Sequence, residues 1–370
     1  MQTFQVTTQI YSGKNSLNVL KQWRDKKIFI VCDAFISKTQ TYQRVVQILG
    51  EGNTQLFSDI TPDPDIATVV TGIQAMAQFQ PDLVIGLGGG SSIDAAKAMV
   101  YFAKKMGLNI QECIAIPTTS GTGSEVTSAT VITDPSTGTK YPLFEQSIYP
   151  NAAILDPDLV VTVPQHITAN TGLDVLTHAF EAYVSTNAGD FSNAYAEKAI
   201  QLVFTYLPGA YKDGENMQCR EKMHNASAMA GMAFSHAGLG INHAIAHQLG
   251  GQFHVPHGLA NAILMPAVIE YNAQNCERSH RRYARIAKKS RIANLNASDE
   301  QALNLLLNHI RNLQAELGMA TTLTELGIDA ETVESKMVAL IQGALNDSTL
   351  PTTPVQPSAL DIRKIIEAIL

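Results

Sequence analysis

The chain has 370 residues and a mass of 40.0 kDa, more than one hydrophobic core usually serves, so about two domains are expected. Its 26 Lys and Arg against 33 Asp and Glu give a formal net charge of −7, and a mildly acidic chain without basic runs lacks the phosphate-neutralising charge of a nucleic-acid binder. The longest apolar runs, such as Leu83-Val84-Ile85-Gly86-Leu87, are far short of the roughly 20 residues of a membrane span.

In chain order, short apolar runs at Ile28-Phe29-Ile30-Val31-Cys32, Gln55-Leu56-Phe57, Leu83 to Leu87, Ile114-Ala115-Ile116 and Ala153-Ile154-Leu155 read as buried strands. Between them, Ile66 to Phe79 and Ser92 to Lys105 carry helix-spaced apolar positions. This βαβα alternation predicts a doubly wound, mostly parallel α/β domain over residues 1–163. Ala129 to Thr133, the turn signal Asp134-Pro135-Ser136-Thr137-Gly138 and Lys140 to Leu143 predict an inserted hairpin. From residue 164 to 370 strand-like runs vanish and Ala/Leu/Met-rich helical spacing takes over, which predicts an all-α domain broken most clearly at Leu350-Pro351-Thr352-Thr353-Pro354. The opening Met1-Gln2-Thr3-Phe4-Gln5 has neither the basic nor the apolar region of a secretory signal, so a cytoplasmic location is expected. Cys32, Cys113, Cys219 and Cys276 lie far apart without C-x-x-C and read as core thiols.

Gly86-Leu87-Gly88-Gly89-Gly90-Ser91 follows a strand and opens a helix, where backbone N–H groups and the positive helix end receive a phosphate. Ser91 and Asp94 fit an S-x-x-D capping box behind the loop. The spacing is neither G-x-G-x-x-G nor a Walker A motif, so the loop alone says phosphate rather than dinucleotide. Pro117-Thr118-Thr119-Ser120-Gly121-Thr122-Gly123-Ser124-Glu125 also follows a strand. Its hydroxyls and amides are suited to ribose or pyrophosphate at the carboxyl ends of the strands. Asp33, directly after the first long strand, is placed as a ribose-binding acid would be, although a solvated turn Asp reads the same.

Histidines cluster in the second half. Asp174 and His178 stand at i and i+4, as do His243 and His247, and His257 lies on a loop that starts another helix. One-turn spacing lets a pair chelate a single ion, and imidazole with one carboxylate suits Fe(II), Zn(II) or Ni(II). There is no H-E-x-x-H, so a zincin-type protease lacks its general base.

Gly88-Gly89-Gly90-Ser91, the 117–125 loop, Gly172-Leu173-Asp174-Val175-Leu176-Thr177-His178 and His243 through Gly258 occur in the order seen in the iron-dependent (group III) alcohol dehydrogenases, which the chain resembles over essentially its whole length. Residues 242–253 and the length are similar to the branch found in bacterial propanediol-utilisation microcompartments. The resemblance implies a Rossmann-like sheet domain followed by the all-helical domain of the dehydroquinate synthase-like fold. It makes Asp174, His178, His243 and His257 the ligands of Fe(2+), or of Zn(2+) or another divalent ion. NAD(H) would lie on Gly88, Gly89, Gly90 and Ser91, on Thr118, Thr119, Thr122 and Ser124, and on Asp33, with Lys140 near the cofactor and Phe234 beside the nicotinamide. It further implies reduction of short aldehydes to primary alcohols (propanal to 1-propanol first), a homodimer, and a microcompartment aldehyde dehydrogenase or shell protein as partner. His247, one turn from His243, is placed to relay a proton rather than bind metal. Two departures are His236, where relatives carry a small polar amide, and Asp63, where Asn is common. A glycerol dehydrogenase-like polyol enzyme is the nearest rival, and His178 as a fourth ligand argues against it. A metallohydrolase using the same ligands would leave the nucleotide-type loops without a task, and a non-catalytic nucleotide-binding module would bind without turnover.

Overall fold

The structure, a computed structural model, describes residues 3–134 and 139–370, apart from the side chains of Glu51, Thr139 and Lys140. Its first stretch runs β1 (Gln9–Ser12), β2 (Ile28–Asp33), α1 (Gln40–Leu49), β3 (Thr54–Ile60), α2 (Ile66–Phe79), β4 (Leu83–Gly88), α3 (Gly90–Lys105), β5 (Glu112–Pro117), β6 (Ala129–Asp134), β7 (Thr139–Phe144) and β8 (Ala152–Leu155). Six strands form one parallel sheet in the order β1-β8-β5-β4-β2-β3, and β6 pairs antiparallel with β7 as the expected hairpin. The turn expected between them, 135–138, lies outside the described residues.

Both faces of the sheet are buried, which is why its strands read as continuous apolar runs. On β2, Ile28, Ile30 and Cys32 pack with Leu17, Leu20, Trp23, Val45 and Ile48, whereas Phe29 and Val31 pack with Val69, Ile73, Met76, Ala96 and Met99. β1 gives no such signal in sequence, because Gln9-Ile10-Tyr11-Ser12 is four residues long with exposed ends and lies at the sheet edge. The chain leaves β2 toward β3 on one side and returns through β4 to β5 and β8 on the other, so the winding direction changes between β2 and β4. In an open α/β sheet the carboxyl ends of two such strands form the ligand crevice.

Among the described residues beyond 163 there is no strand. The helices are α4 (Gln165–Val184), α5 (Asp190–Lys212), α6 (Met217–Ala237), α7 (Ile241–Phe253), α8 (His257–Asn275), α9 (Glu277–Lys289), α10 (Asp299–Glu316), α11 (Ala330–Leu345) and α12 (Ala359–Glu367). The gap between α11 and α12 holds the Pro351 and Pro354 breaker.

The boundary expected at 163/164 needs one correction. One compact unit comprises Gln5–Val163 together with Glu215–Ser235; the other comprises Pro164–Gly214 and His236–Leu370 with the described residues 3–4. Most of α6 therefore belongs with the sheet. A Cβ on Gly231 would stand 2.8 Å from the Gly123 carbonyl oxygen, so two glycines let helix and loop backbones touch. Buried Arg220 donates to the Val163 carbonyl at 2.9 Å, and His224 Nδ1 lies 3.0 Å from Ser120 Oγ.

In the helical unit, α7, α8, α11 and α12 share one core that includes Ile241, Ile245, Leu249, Leu264, Leu340 and Ile366. The start of α8 is pressed against α4, since a Cβ on Gly258 would come within 2.3 Å of the Asn170 carbonyl oxygen. That contact sets His257 beside the helix carrying Asp174 and His178.

Candidate metal centre and nucleotide cradle

One turn of α4 presents Asp174 and His178, the first turn of α7 presents His243, and His257 is the first residue of α8. One ligand atom from each of the four lies within 4.8 Å of every other. Asp174 Oδ1 stands 3.5 Å from His257 Nε2 and 3.9 Å from His243 Nε2, and Asp174 Oδ2 stands 4.0 Å from His178 Nδ1. The His178 and His243 rings stack with centroids 4.6 Å apart. Asp174, His178 and His243 are buried, while the His257 side chain is 42% exposed, so the group is closed on three sides and reachable from the fourth. Catalytic sites keep such an open position and structural ones do not.

The electrostatics suit a cation. Burial opposes ionisation of Asp174, but His178, His257 and His243 and the Asn261 amide outweigh it and hold the carboxyl below its ordinary range. Burial drives the His243 pKa well down, leaving the ring neutral as a ligand must be. An oxygen and three imidazole nitrogens converging at this spacing fit a divalent transition-metal ion.

Around these four stands a group of side chains that motif reading missed. Glu181, seven residues after Asp174 on the same face of α4, lies 2.5 Å by Oε2 from His243 Nδ1. Burial raises its carboxyl to about 7 against the pull of the Asn242 N–H. Asn261, one turn after His257, donates to Asp174 Oδ1 at 2.8 Å, and its own carbonyl oxygen accepts from the Asn242 amide at 2.9 Å. His247 stands apart from the four: its Nδ1 is 2.9 Å from Asp347 Oδ2, and Asp347 Oδ1 accepts from the Thr349 N–H and hydroxyl. The helical periods of Glu181 after Asp174 and Asn261 after His257 were visible in the sequence; the distant Asp347 left no local signal.

The loops of the sheet unit also meet. A Cβ on Gly90 would stand 2.6 Å from Thr122 Cγ2, one on Gly89 3.6 Å from Thr119, and one on Gly88 3.6 Å from Asp33 Oδ2. The Thr118 N–H donates to the Gly88 carbonyl at 2.9 Å. Gly88, Gly89, Gly90, Thr119, Thr122 and Asp33 thus lie close together beyond the carboxyl ends of β4, β5 and β2, where the winding direction changes, with Ser91 on the first turn of α3. Asp33 Oδ1 accepts from the Phe35 and Ile36 N–H groups at 2.8 Å, which turns Oδ2 toward the glycines. Phe234 is half-buried on α6 in the same unit, and the Lys140 side chain lies outside the described residues.

Two expectations about this region are corrected. The Ser91–Asp94 capping box does not form, because α3 begins at Gly90 with Gly89 as its N-cap. The Asp94 carboxylate instead accepts from the Ser124 hydroxyl and from the Val131 N–H, beside buried Lys97. Lys97 Nζ donates to the Ser124 carbonyl at 2.8 Å and the Thr127 hydroxyl at 3.1 Å. The hydroxyl of buried Ser124 is therefore engaged in fastening the 117–125 loop to α3 rather than facing the crevice. Of the two departures, Asp63 adopts a left-handed backbone (φ 55°), which Asp tolerates as Asn does. His236 stacks on Phe4 at 4.0 Å.

The model of the iron-containing alcohol dehydrogenases matches residues 7–157, and that of the C-terminal part of the Fe-containing alcohol dehydrogenase family matches residues 168–370. This chain belongs to that family. The enzyme is 53% identical over 371 residues, with all of both chains covered, to "1-propanol dehydrogenase PduQ" of Citrobacter freundii. It is 38% identical to an "NADPH-dependent butanol dehydrogenase" of Clostridium saccharobutylicum, covering 100% of this chain and 98% of that one. Among solved structures it superposes on a 1,3-propanediol oxidoreductase with a TM-score of 0.93 at 30% identity, all of both chains covered. An iron-containing alcohol dehydrogenase from Thermococcus thioreducens gives 0.91 at 32% identity, with 99% of each chain covered. It is thus an oxidoreductase that interconverts aldehydes and alcohols, in a family whose cofactors are iron and NAD(H). The sheet-plus-helices architecture expected from sequence is the architecture of these structures.

Proposed function

We propose that the enzyme reduces short, uncharged aliphatic aldehydes to primary alcohols, propanal to 1-propanol first, with Asp174, His178, His243 and His257 holding the metal and the crevice of the sheet unit holding NAD(H). The observation that carries this reading is the convergence of four ligand atoms within 4.8 Å around a position open only beside His257. A divalent ion there supplies Lewis acidity toward a carbonyl oxygen while the nicotinamide supplies the hydride. The chain's own part is orientation and proton handling. The N-terminus of α3 and the glycines take the pyrophosphate, and Asp33 Oδ2 accepts from the adenosine ribose, which favours NAD(H) over NADP(H) because a 2′-phosphate would be repelled. Thr119 and Thr122 carry hydroxyls beside the same glycines, Ser124 holds their loop, and Thr118, Lys140 and Phe234 are assigned to the cofactor by family resemblance. Asp347 would accept from Nδ1 of His247 and favour its imidazolium form, whose Nε2–H would pass its proton to the substrate oxygen and leave the ring neutral with the proton on Nδ1.

Substrate charge follows from what surrounds the metal ligands. Residues 243–266 include no Arg or Lys, so nothing on this segment clamps an anionic substrate. The name of the Citrobacter relative points the same way. We further propose a cytoplasmic homodimer, housed in a microcompartment beside an aldehyde dehydrogenase or shell protein; no helix of the described residues is long and apolar enough to cross a membrane. NADH oxidation by the Fe(II)-loaded enzyme under anaerobic conditions, with propanal, butanal, glyceraldehyde and a phosphorylated aldehyde, tests the substrate class. Propanal should give the highest kcat/KM, and a preference for the polyhydroxylated or phosphorylated compounds would refute it.

A further inference from the structure

We propose that Glu181 is a positioning residue for the metal centre: its carboxylate accepts the Nδ1 proton of His243, fixes the ring's tautomer and orientation, and so directs Nε2 at the ion. The inference rests on the metal reading above and concerns a residue outside the ligand set. Asp174, His178 and Glu181 fall at i, i+4 and i+7 on α4, so a single helix face carries two ligands and the group that aims a third. Glu181 is 6% exposed, and its two oxygens do different work. Oε2 lies 2.5 Å from His243 Nδ1, while Oε1 accepts from the Asn242 N–H at 2.7 Å in the first turn of α7.

The residue before α7 is Gly240, which has no side chain to cap that helix. A Cβ there would stand 3.0 Å from Glu181 Oε1, so the glycine leaves room for the carboxylate to act as a cap supplied from α4. The helix that bears His243 is thereby anchored at its start by the same group that holds the imidazole. An imidazole has two nitrogens, and a proton on Nε2 would block the one that faces Asp174 and His257. Accepting from Nδ1 removes that alternative.

The test separates this role from helix capping. Glu181→Gln keeps a carbonyl oxygen for the Asn242 N–H but offers His243 an amide N–H in place of an acceptor, which favours the wrong tautomer. Apo-protein prepared with a chelator is titrated with Zn(II) against a competing chelator, and apo thermal midpoints are recorded alongside. Glu181→Gln should weaken Zn(II) binding about 10- to 100-fold, the usual effect of losing such a partner, with little change in the apo midpoint. Unchanged affinity overturns the proposal. Asp174→Ala serves as the control: if it binds Zn(II) as tightly as the unaltered protein, the metal reading falls and Glu181 with it, whereas if it loses the metal and Glu181→Gln does not, only the role of Glu181 falls. Should Glu181→Gln fail to fold, the imidazole 15N shifts of His243 in the Zn(II) form of the unaltered protein decide, since a protonated Nδ1 with metal on Nε2 is required and the reverse tautomer refutes it.

Discussion

The two candidate sites are made of different material. The metal centre is built of side chains from three helices, and two of its donors are held by a further side chain that also ties helices together, His243 by Glu181 between α4 and α7 and Asp174 by Asn261 between α8 and α4. The nucleotide crevice is built of backbone: glycines pressed against threonine side chains, where what matters is the absence of a Cβ. A site made of side chains loses its chemistry when one donor is removed and tolerates change in the backbone around it. A site made of backbone is indifferent to most donors and intolerant of one added carbon.

That contrast yields graded expectations. The largest effect should come from His257→Ala, which removes the half-exposed ligand without opening a buried cavity. Metal retention should be lost and turnover should fall by about 10³-fold, the scale of several kcal/mol of Lewis-acid stabilisation. NADH binding, followed by fluorescence titration, should be unchanged; full metal content by elemental analysis would remove His257 from the ligand set. Next, His247→Ala should lower kcat by roughly 10²-fold with the metal retained, and Asp347→Asn should reproduce part of that loss. Near-normal turnover in His247→Ala would assign proton delivery elsewhere.

On the other side of the comparison, Gly90→Ala drives a methyl into Thr122 and should weaken NADH binding about tenfold, within the 1–3 kcal/mol of an overpacked contact, while metal content stays normal. Thr122→Ser, which deletes the methyl that would stand 2.6 Å away, should restore part of the affinity; no rescue would mean that the two loops do not share the ligand. The smallest effect is expected of Asp33→Asn, which keeps an acceptor for the Phe35 and Ile36 N–H groups but removes the charge. The ratio of kcat/KM for NADH over NADPH should narrow about tenfold, the value of roughly 1.4 kcal/mol. An unaltered enzyme that used both cofactors equally would refute the placement of Asp33 beside the ribose.

What could be read from sequence follows the same division. The core strands of the sheet announced themselves because burial on two faces leaves only apolar residues, and helices 66–79 and 92–105 because their apolar positions recur at helical spacing. β1 at the edge did not, nor did α6's membership of the sheet unit, since the Gly123–Gly231 contact joins residues about a hundred positions apart and has no local pattern. The ligands were legible as i, i+4 pairs on helices. Asp347, which acts on α7 through His247 from a hundred residues further along the chain, was not. Ser91 and Asp94 misled because the motif is local, whereas Asp94 takes its partners from Ser124 and Val131.

The docking of α6 bears on how the protein comes off the ribosome. When residue 163 has been synthesised, every strand of the sheet exists, yet the helix segment 215–235 that covers Gly123 and satisfies the Val163 carbonyl through Arg220 is still to be made. Domains generally fold as units and N-terminal ones first, but here the first unit cannot close until roughly fifty residues of its neighbour have been threaded out. A fragment ending at residue 163 should therefore show strand structure with exposed apolar surface and should gain protease resistance only when a peptide spanning 215–235 is supplied.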